Sequence, residues 1–271
     1  MRITDMPLLG YGTFPLRGDE ARDCVAMALE LGYRHLDTAQ MYGNEAEVGR
    51  AIRDSGLARD QIFLTTKVHP DHYGADAFAP SVARSLDALG VDRVDLLLLH
   101  WPHPSLDMAE VVARLLHTLD AGQATSIGVS NFGPDDLSRA QRIAEGEIAC
   151  DQIELHPFVD QDATLRTAAD LGIRITAYCP VARGRVSGDP TLEAIGEAHG
   201  VSAATVALAW LRQKAIAAIP MSRDRGHARA NLESQALRLD DREIERIDRL
   251  GRAAGKMIEP AGLTPVWGRA T

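Results

Sequence analysis

Cysteine and positive charge are both scarce in this sequence, and each scarcity excludes a class of protein. The only cysteines are Cys24, Cys150 and Cys179, which form neither an even set nor a CxxC pair. A disulfide framework and a cysteine-rich zinc site are therefore not expected. Asp and Glu (38) outnumber Lys and Arg (29), for a net charge of −9, and no Lys/Arg-rich run occurs. This balance disfavours binding to nucleic acid or to an anionic membrane surface.

Long hydrophobic runs are also missing. The run Leu96–Leu99 is only four residues long and is bounded by Asp95 and His100, so no segment has the length needed to span a membrane. The first five residues, Met-Arg-Ile-Thr-Asp, lack the apolar core of a signal peptide. We therefore expect a cytoplasmic protein whose thiols are reduced.

What the sequence does contain is a regular alternation of short apolar runs with stretches of helical periodicity. A hydrophobic fraction of 45% in 271 residues is ordinary for a globular protein. Short, nearly continuous apolar runs are typical of strands buried on both faces. Eight strands are predicted, at 8–12, 33–37, 62–68, 94–100, 126–130, 149–155, 173–178 and 216–219.

Helices are predicted between these strands. Phe78, Val82, Leu86 and Leu89 recur at helical spacing. Glycines stand where helices would end before the next strand, at Gly90, Gly122 and Gly172. Strands at intervals of roughly 30 residues, in a chain close to the roughly 250 residues typical of the fold, predict a (β/α)₈ TIM barrel.

The structural alternative is a doubly wound open sheet. That fold usually carries a GxGxxG fingerprint after its first strand, whereas residues 10–15 read Gly-Tyr-Gly-Thr-Phe-Pro. No linker and no shift in composition divide the chain, so a single α/β domain over residues 1–271 is predicted.

Chemically useful side chains follow successive predicted strands. Asp37 and Tyr42 follow the second strand, Lys67 the third and His100 the fourth. In a barrel these strand ends share one rim, where active sites lie. An ammonium beside a phenol lowers the phenol pKa, and a carboxylate keeps the ammonium charged. Each residue alone also fits a structural role, but together they could protonate an oxyanion as hydride reaches a carbonyl carbon.

Several segments resemble the signature motifs of the aldo-keto reductase family. They are Gly-Tyr-Arg-His-Leu-Asp-Thr-Ala at 32–39, Tyr-Gly-Asn-Glu at 42–45, Leu-His-Trp-Pro at 99–102, Gly-Val-Ser-Asn-Phe at 128–132, Gln-Ile-Glu-Leu-His-Pro at 152–157 and Ile-Pro-Met-Ser at 219–222. The compact segment 182–190 is similar to the bacterial 2,5-diketo-D-gluconate reductase branch. The resemblance implies a barrel that transfers hydride between a nicotinamide cofactor and an aldehyde or ketone. It implies no metal, and we expect a monomer.

Residue roles follow from the same resemblance. Tyr42 would be the general acid, and Lys67 and Asp37 would be the ion pair that adjusts its pKa. His100 would orient the carbonyl. The cofactor would contact Thr13, Ser130, Asn131, Gln152, Tyr178, Ser222, Arg223, His227 and Asn231. The substrate would contact Phe14, Trp101 and Trp267, the last in a C-terminal tail of about residues 252–271. Trp267 fits equally well as an anchor that packs the tail on the barrel.

The chain departs from the family pattern where the cofactor's ribose phosphate would bind. Met221 replaces the usual lysine, and His227 stands where an arginine is usual. Arg223 could supply a replacement cation, helped by Arg225 or Arg229. Because charge-assisted contacts to phosphate are strong, we expect NADP(H) use with relaxed selectivity and activity with NAD(H) as well.

Two other functions stay open at this stage. One is a cofactor-sensing regulatory subunit with little turnover, and the other is an alcohol dehydrogenase that works in the oxidative direction with Tyr42 as base. No arginine stands at the matched pocket positions, so the sequence does not require a substrate with a carboxylate.

Overall fold

A computed structural model of the chain describes residues 1–252, 255–258, 263 and 266–267. Most of the predicted pocket tail, 252–271, therefore lies outside the described residues. No helix of the described part is both long enough and apolar enough to cross a bilayer.

Eight parallel strands form one sheet in which each strand pairs with the next along the chain. A bridge between Leu9 and Ala218 joins the two edges and closes the barrel. The (β/α)₈ prediction is thus confirmed. The strands are β1 Tyr11–Gly12, β2 His35–Asp37, β3 Phe63–Val68, β4 Val94–Leu99, β5 Ala124–Ser130, β6 Ile148–Glu154, β7 Arg174–Tyr178 and β8 Ala217–Ala218.

Ten α-helices are described, and most of them alternate with the strands. They are α1 Gly18–Leu31, α2 Glu45–Asp54, α3 Ala75–Leu89, α4 Met108–Asp120, α5 Pro134–Ile143, α6 Asp162–Asp170, α7 Pro190–His199, α8 Ala203–Gln213, α9 Arg225–Glu233 and α10 Asp241–Asp248. The predicted stops at Gly90, Gly122 and Gly172 are confirmed, because all three have a positive φ of 68–70°.

The strands that close the barrel are shorter than predicted. At the closure β1 and β8 approach so tightly that a Cβ on Gly12 would lie 2.7 Å from the Ile219 carbonyl oxygen.

The second strand starts at His35 because the Tyr33 amide instead caps α1, donating to the Ala28 carbonyl oxygen at 3.0 Å.

Alternation along the strands sorts the buried side chains into two groups. The large group lies between the sheet and the helices. A small separate cluster consists of Met6, Phe63, Leu96, Leu98, Cys150 and Ala217. Further along these strands, towards their carboxyl ends, come Lys67, His100 and Gln152, so polar groups gather at one end of the barrel.

Candidate active site

A cavity of about 560 Å³ lies at the carboxyl ends of the strands. This is the end at which TIM barrels place their active sites. Ten of the residues predicted from the sequence line it: Thr13, Phe14, Asp37, Tyr42, His100, Trp101, Ser130, Asn131, Gln152 and Tyr178.

Lys67 lies between the Asp37 carboxylate and the Tyr42 phenol and contacts both. Its ammonium donates to Asp37 Oδ1 at 2.5 Å, to the Thr38 carbonyl oxygen at 2.9 Å and to the Tyr42 hydroxyl at 3.4 Å. Both members of the ion pair are buried, at 0% and 1% side-chain exposure. The other carboxylate oxygen of Asp37 accepts from Gln152 Nε2 at 2.7 Å. The ammonium is therefore held by fixed partners against the phenol.

The predicted lowering of the Tyr42 pKa is wrong for this arrangement. Burial raises the pKa of Tyr42 well above its usual range, and the nearby Asp37 carboxylate raises it further. Burial also lowers the pKa of Lys67, against the opposing effect of Asp37. The cation is shared with a carboxylate 2.5 Å away, so its effect on the phenol does not outweigh the phenolate's lost hydration. Tyr42 therefore retains its proton at neutral pH.

His100 faces Tyr42 across the cavity floor. The two rings are 5.6 Å apart in an edge-to-face arrangement. Burial lowers the pKa of His100 well below its usual range, and the Lys67 charge lowers it further, so the ring is neutral. Its Nδ1 is buried without a hydrogen-bond partner among the described residues. A neutral imidazole beside a phenol can orient an oxygen atom by hydrogen bonding.

A network of amide and hydroxyl groups forms another part of the cavity lining. Tyr178 donates its hydroxyl to Asn131 Oδ1 at 2.7 Å, and Asn131 Nδ2 donates to Ser130 Oγ and to the His100 carbonyl oxygen, each at 3.1 Å. The Ser130 hydroxyl donates to the Gln152 carbonyl oxygen at 2.7 Å. Asn131 adopts a left-handed φ of 66°, which is uncommon outside glycine and is maintained by these bonds.

The residues predicted for the adenosine end are not among those that line this cavity, and they lie just before α9 or within it. Ser222 Oγ accepts from the Asp224 amide at 3.1 Å, and Asn231 is buried at 8% exposure. Arg223 forms an ion pair with Glu20 at 2.7 Å, so it is partnered rather than free. His227 is 82% exposed at the side chain. Of this segment, Met221 lines the cavity.

The predicted substrate contacts divide into two groups. Phe14 is 52% exposed and its ring lies 5.2 Å from that of Tyr42, while Trp101 is buried in the cavity wall. Trp267 is not among the described lining residues. Its indole nitrogen donates to the Leu106 carbonyl oxygen at 2.6 Å and its ring stacks on Tyr73 at 6.3 Å. These contacts favour the anchoring role for Trp267.

Glu154 lies in the sixth predicted strand and was assigned no role from the sequence, yet it fixes part of the cavity wall. Its carboxylate accepts the backbone amides of Met257 and Ile258 at 2.7 and 3.0 Å, and both of these residues line the cavity. The Phe158 amide donates to His156 Nδ1, so the ring proton lies on Nε2 and is donated to Glu154 at 3.0 Å. Burial raises the pKa of Glu154, but these hydrogen bonds outweigh it and lower that pKa overall.

The sequence offered only a weak sign of this contact. Glu154 and His156 stand inside the 152–157 motif, but the amides that Glu154 accepts from Met257 and Ile258 are more than 100 positions away. No group of three or more His, Cys, Asp or Glu side chains in the described part of the chain is arranged to hold a metal ion.

Comparison with known proteins identifies the family. The Aldo/keto reductase family matches residues 8–252 of the chain. The chain belongs to this family. It is therefore an oxidoreductase, and the resemblance seen in its motifs is confirmed.

Relatives and solved structures agree over nearly the whole chain. The chain is 38% identical to the methylglyoxal reductase DkgB of Yersinia pestis, over 97% of this chain and 99% of that protein. A crystal structure provisionally named a 2,5-diketo-D-gluconic acid reductase B superimposes with a TM-score of 0.94 at 43% identity, covering 97% and 94% of the two chains. An aldo/keto reductase from Brucella melitensis gives a TM-score of 0.87 at 38% identity, covering 90% and 95%.

Proposed function

We propose that this protein reduces an aldehyde or ketone to an alcohol, with hydride from NADPH or NADH and Tyr42 as the proton donor. The observation that carries the proposal is the connected set Asp37–Lys67–Tyr42 beside a neutral His100 at the cavity floor. The names of the reductase relatives support a carbonyl substrate.

The residues around the cavity are suited to a nicotinamide. The carboxamide oxygen of Gln152 accepts no hydrogen bond from the described residues, and the Ser130–Asn131 network lies next to it. Ser130, Asn131 and Gln152 would hold the carboxamide, Tyr178 would stack on the ring, and Thr13 would lie near the ribose. A volume of about 560 Å³ is within the usual range for ligand pockets. When bound, the cofactor supplies the hydride.

The protein's own residues would manage the proton. Because burial raises the pKa of Tyr42, the hydroxyl carries its proton before the reaction. The neutral His100 ring would hydrogen-bond the carbonyl oxygen and orient it towards Tyr42. After the proton leaves, the Lys67 ammonium at 3.4 Å would stabilise the phenolate, and Asp37 would keep that ammonium in place.

The same observations bear on the two alternatives. All four residues of the set are in contact range at the cavity floor, which a regulatory subunit without turnover does not need. Oxidation of an alcohol would need Tyr42 as a phenolate base, and burial disfavours that form. The protonated phenol is therefore the resting form that carbonyl reduction needs, while the equilibrium between carbonyl and alcohol is set by the reactants and the cofactor ratio.

Cofactor selectivity belongs to the proposal as well. Met221 carries no charge, His227 is exposed, and Arg223 is paired with Glu20. We therefore expect NADP(H) use with relaxed selectivity, so that the ratio of kcat/KM for NADPH over NADH stays below about a thousandfold. A larger preference for NADPH would contradict this part of the proposal.

The experiment is a panel of carbonyl substrates, including methylglyoxal and 2,5-diketo-D-gluconate, assayed with both cofactors at 340 nm. The proposal predicts carbonyl-dependent oxidation of NADPH and NADH. Cofactor binding without turnover of any carbonyl would favour the regulatory subunit.

A further inference from the structure

Glu45 is the last residue of the Tyr-Gly-Asn-Glu motif, and the proposed function leaves it unused. It is the first residue of α2 and follows Tyr42 by three positions. The backbone between the two is fixed, because Gly43 turns with a φ of 62° and the buried Asn44 side chain donates to the Thr13 carbonyl oxygen at 3.1 Å. Glu45 is therefore held at a set distance from the proposed proton donor.

The Glu45 carboxylate is partly buried and is turned towards β3 and α3. Thr66 in β3 donates its hydroxyl to Oε1 at 2.5 Å, and Ser85 in α3 donates its hydroxyl to Oε2 at 3.1 Å. No basic side chain of the described residues forms an ion pair with Glu45, whereas Glu47 in the same turn pairs with Arg50 at 2.9 Å. Glu45 thus accepts at both oxygens, as an ionised carboxylate does.

The orientation of the Ser85 hydroxyl is set by Gln40. Gln40 Oε1 accepts the His69 amide at 2.9 Å, so its Nε2 is the group that donates to Ser85 Oγ at 3.0 Å. The Ser85 proton is thereby left for Glu45. Burial raises the pKa of the Glu45 carboxyl, and both hydroxyls and the Lys67 charge oppose that rise.

The link from Glu45 to the reacting groups runs through β3. Thr66 and Lys67 are neighbours in this strand, so their side chains leave it on opposite faces, the first towards Glu45 and the second towards Tyr42. Burial lowers the pKa of Lys67, and the Asp37 and Glu45 carboxylates both oppose this.

Only two groups near Lys67, among the described residues, bring negative charge to it. The titratable groups that act on the ammonium or respond to its charge are Asp37, Glu45, Cys150, His35, His100 and Tyr42. Burial keeps both imidazoles neutral and the thiol and the phenol protonated, because it lowers the pKa of the former and raises the pKa of the latter. The two carboxylates remain.

We propose that Glu45 is a positioning residue for the reduction, a second counter-ion that acts with Asp37 to keep the Lys67 ammonium charged against Tyr42. This inference rests on the proposed function, which gives Lys67 its task. Burying an ammonium is costly, and each nearby carboxylate offsets part of that cost. The ammonium therefore stays charged to a higher pH, and the phenolate formed by proton transfer keeps its partner.

Three substitutions separate the charge of Glu45 from its packing. Glu45→Gln removes the charge and keeps the shape of the side chain. Thr66→Val removes a hydrogen bond to the same carboxylate and leaves the charge in place. Glu47→Gln makes the same change of net charge in the same turn of α2, next to Arg50.

The experiment is an NMR titration of the protein labelled with ¹³C at the lysine ε-carbon. The sequence has only three lysines, so Lys214→Arg and Lys256→Arg suffice to assign the signal of Lys67. In Glu45→Gln the midpoint of the Lys67 titration should fall by about one pH unit, because one opposite charge is lost.

The control variants should leave that midpoint unchanged. In Thr66→Val the carboxylate of Glu45 is still ionised at the alkaline pH at which a lysine titrates, and in Glu47→Gln the lost charge lies away from Lys67. Glu45→Asp keeps the charge and should retain most of the midpoint.

The pH dependence of kcat, measured with methylglyoxal and NADPH, gives a second readout. In Glu45→Gln kcat at neutral pH should stay within about threefold, since Lys67 is still charged there. The decline of kcat on the alkaline side should begin at a lower pH, in step with the NMR midpoint.

An unchanged Lys67 midpoint in Glu45→Gln would overturn the inference. An equal fall in Glu47→Gln would reduce it to a general charge effect, and an equal fall in Thr66→Val would reduce it to packing, so either result overturns it as well. Failure of the proposed function looks different. The unmodified protein would then turn over no carbonyl, while the NMR midpoints, which need no turnover, would still report on Glu45.

Discussion

The two ends of the barrel each hold a buried carboxylate paired with a cation, and they use it differently. At the amino-terminal end of the sheet Asp95 pairs with the Met1 amine and with Arg59, and accepts the Leu64 amide at 2.9 Å. At the carboxyl-terminal end Asp37 pairs with Lys67. Arg59 is 31% exposed, whereas Lys67 is fully buried and lies against a phenol.

This difference indicates that the Asp95 cluster contributes to the stability of the fold, whereas the Asp37–Lys67 pair contributes to the reaction. The Arg59 cation is partly exposed to solvent, and the Asp95 cluster ties the chain start to β3 and β4. A cation buried beside a protonated phenol has a lowered pKa and few ways to relax, which suits it to stabilise a charge that appears during a reaction. Changes at the first end should alter unfolding, and changes at the second should alter turnover.

The largest effect is expected for Lys67→Met. Turnover should fall by about 10³-fold or more, because the phenolate left by Tyr42 loses its counter-charge. Stability should fall by about 3–5 kcal/mol, because Asp37 becomes a buried unpaired carboxylate. Urea denaturation and steady-state kinetics would measure the two effects.

The double variant Asp37→Asn/Lys67→Met separates these effects. With both charges removed, most of the lost stability should return while turnover stays low. Recovery of turnover together with stability would show that Lys67 acts only through the fold.

At the other end of the barrel, Asp95→Ala should affect stability alone. The Leu64 amide loses its acceptor, while Arg59 can turn to solvent, so the free energy of unfolding should fall by about 2 kcal/mol. The kcat of the folded protein should stay within about twofold. A large fall in kcat at unchanged stability would contradict the separation of the two ends.

A smaller effect at the carboxyl-terminal end is expected for Glu154→Gln. One of the two tail amides loses its acceptor, so the cavity wall formed by Met257 and Ile258 should loosen. Substrate KM should rise about fivefold with little change in kcat, and hydrogen exchange at these two amides should accelerate. Glu147→Gln, the same substitution at an exposed position, should change neither.

The pH dependence of the contact between Glu154 and the two tail amides follows from the direction in which the Glu154 pKa is shifted. Because its hydrogen bonds hold the pKa of Glu154 below the usual range, the contact is fully present above the ordinary carboxyl pKa. It is lost only as the pH falls through the lowered value. Amide protection in the unmodified protein should therefore persist at mildly acidic pH, and its loss near neutral pH would contradict the assignment.

The smallest effect is expected for Glu20→Gln, which releases Arg223. The ratio of kcat/KM for NADPH over NADH should rise about threefold, since exposed ion pairs are weak. Asp19→Asn makes the same charge change on the neighbouring residue and serves as the control. An equal rise in both variants would point to a general charge effect rather than to Arg223.

Features that depend on local sequence patterns or on the regular geometry of the barrel could be predicted from the sequence, whereas contacts between residues far apart in the chain could not. Buried strands such as β4 are short apolar runs, and side chains at successive strand ends meet by geometry, so the barrel and the set Asp37, Tyr42, Lys67 and His100 were predictable. The boundaries of the strands that close the barrel were harder to predict, because β1 and β8 have only two residues each.

The features that were missed depend on contacts between distant segments. Glu154 meets the tail amides 103 and 104 positions later, and Arg223 meets Glu20 across 203 positions. The direction of the Tyr42 pKa shift was wrong because it depends on how far the phenol is shielded from water at the cavity floor, which the spacing of charged residues does not reveal.

The most direct test of the central claim is a single-turnover measurement on Tyr42→Phe with saturating cofactor, followed at 340 nm, with cofactor Kd measured separately by fluorescence quenching. Removing the hydroxyl removes the proton donor while keeping the ring against Phe14 and His100. The account predicts a hydride-transfer rate lower by about 10²–10⁴-fold with nearly unchanged cofactor Kd. A rate within about threefold of the unmodified protein would contradict it, since the proton would then come from another group.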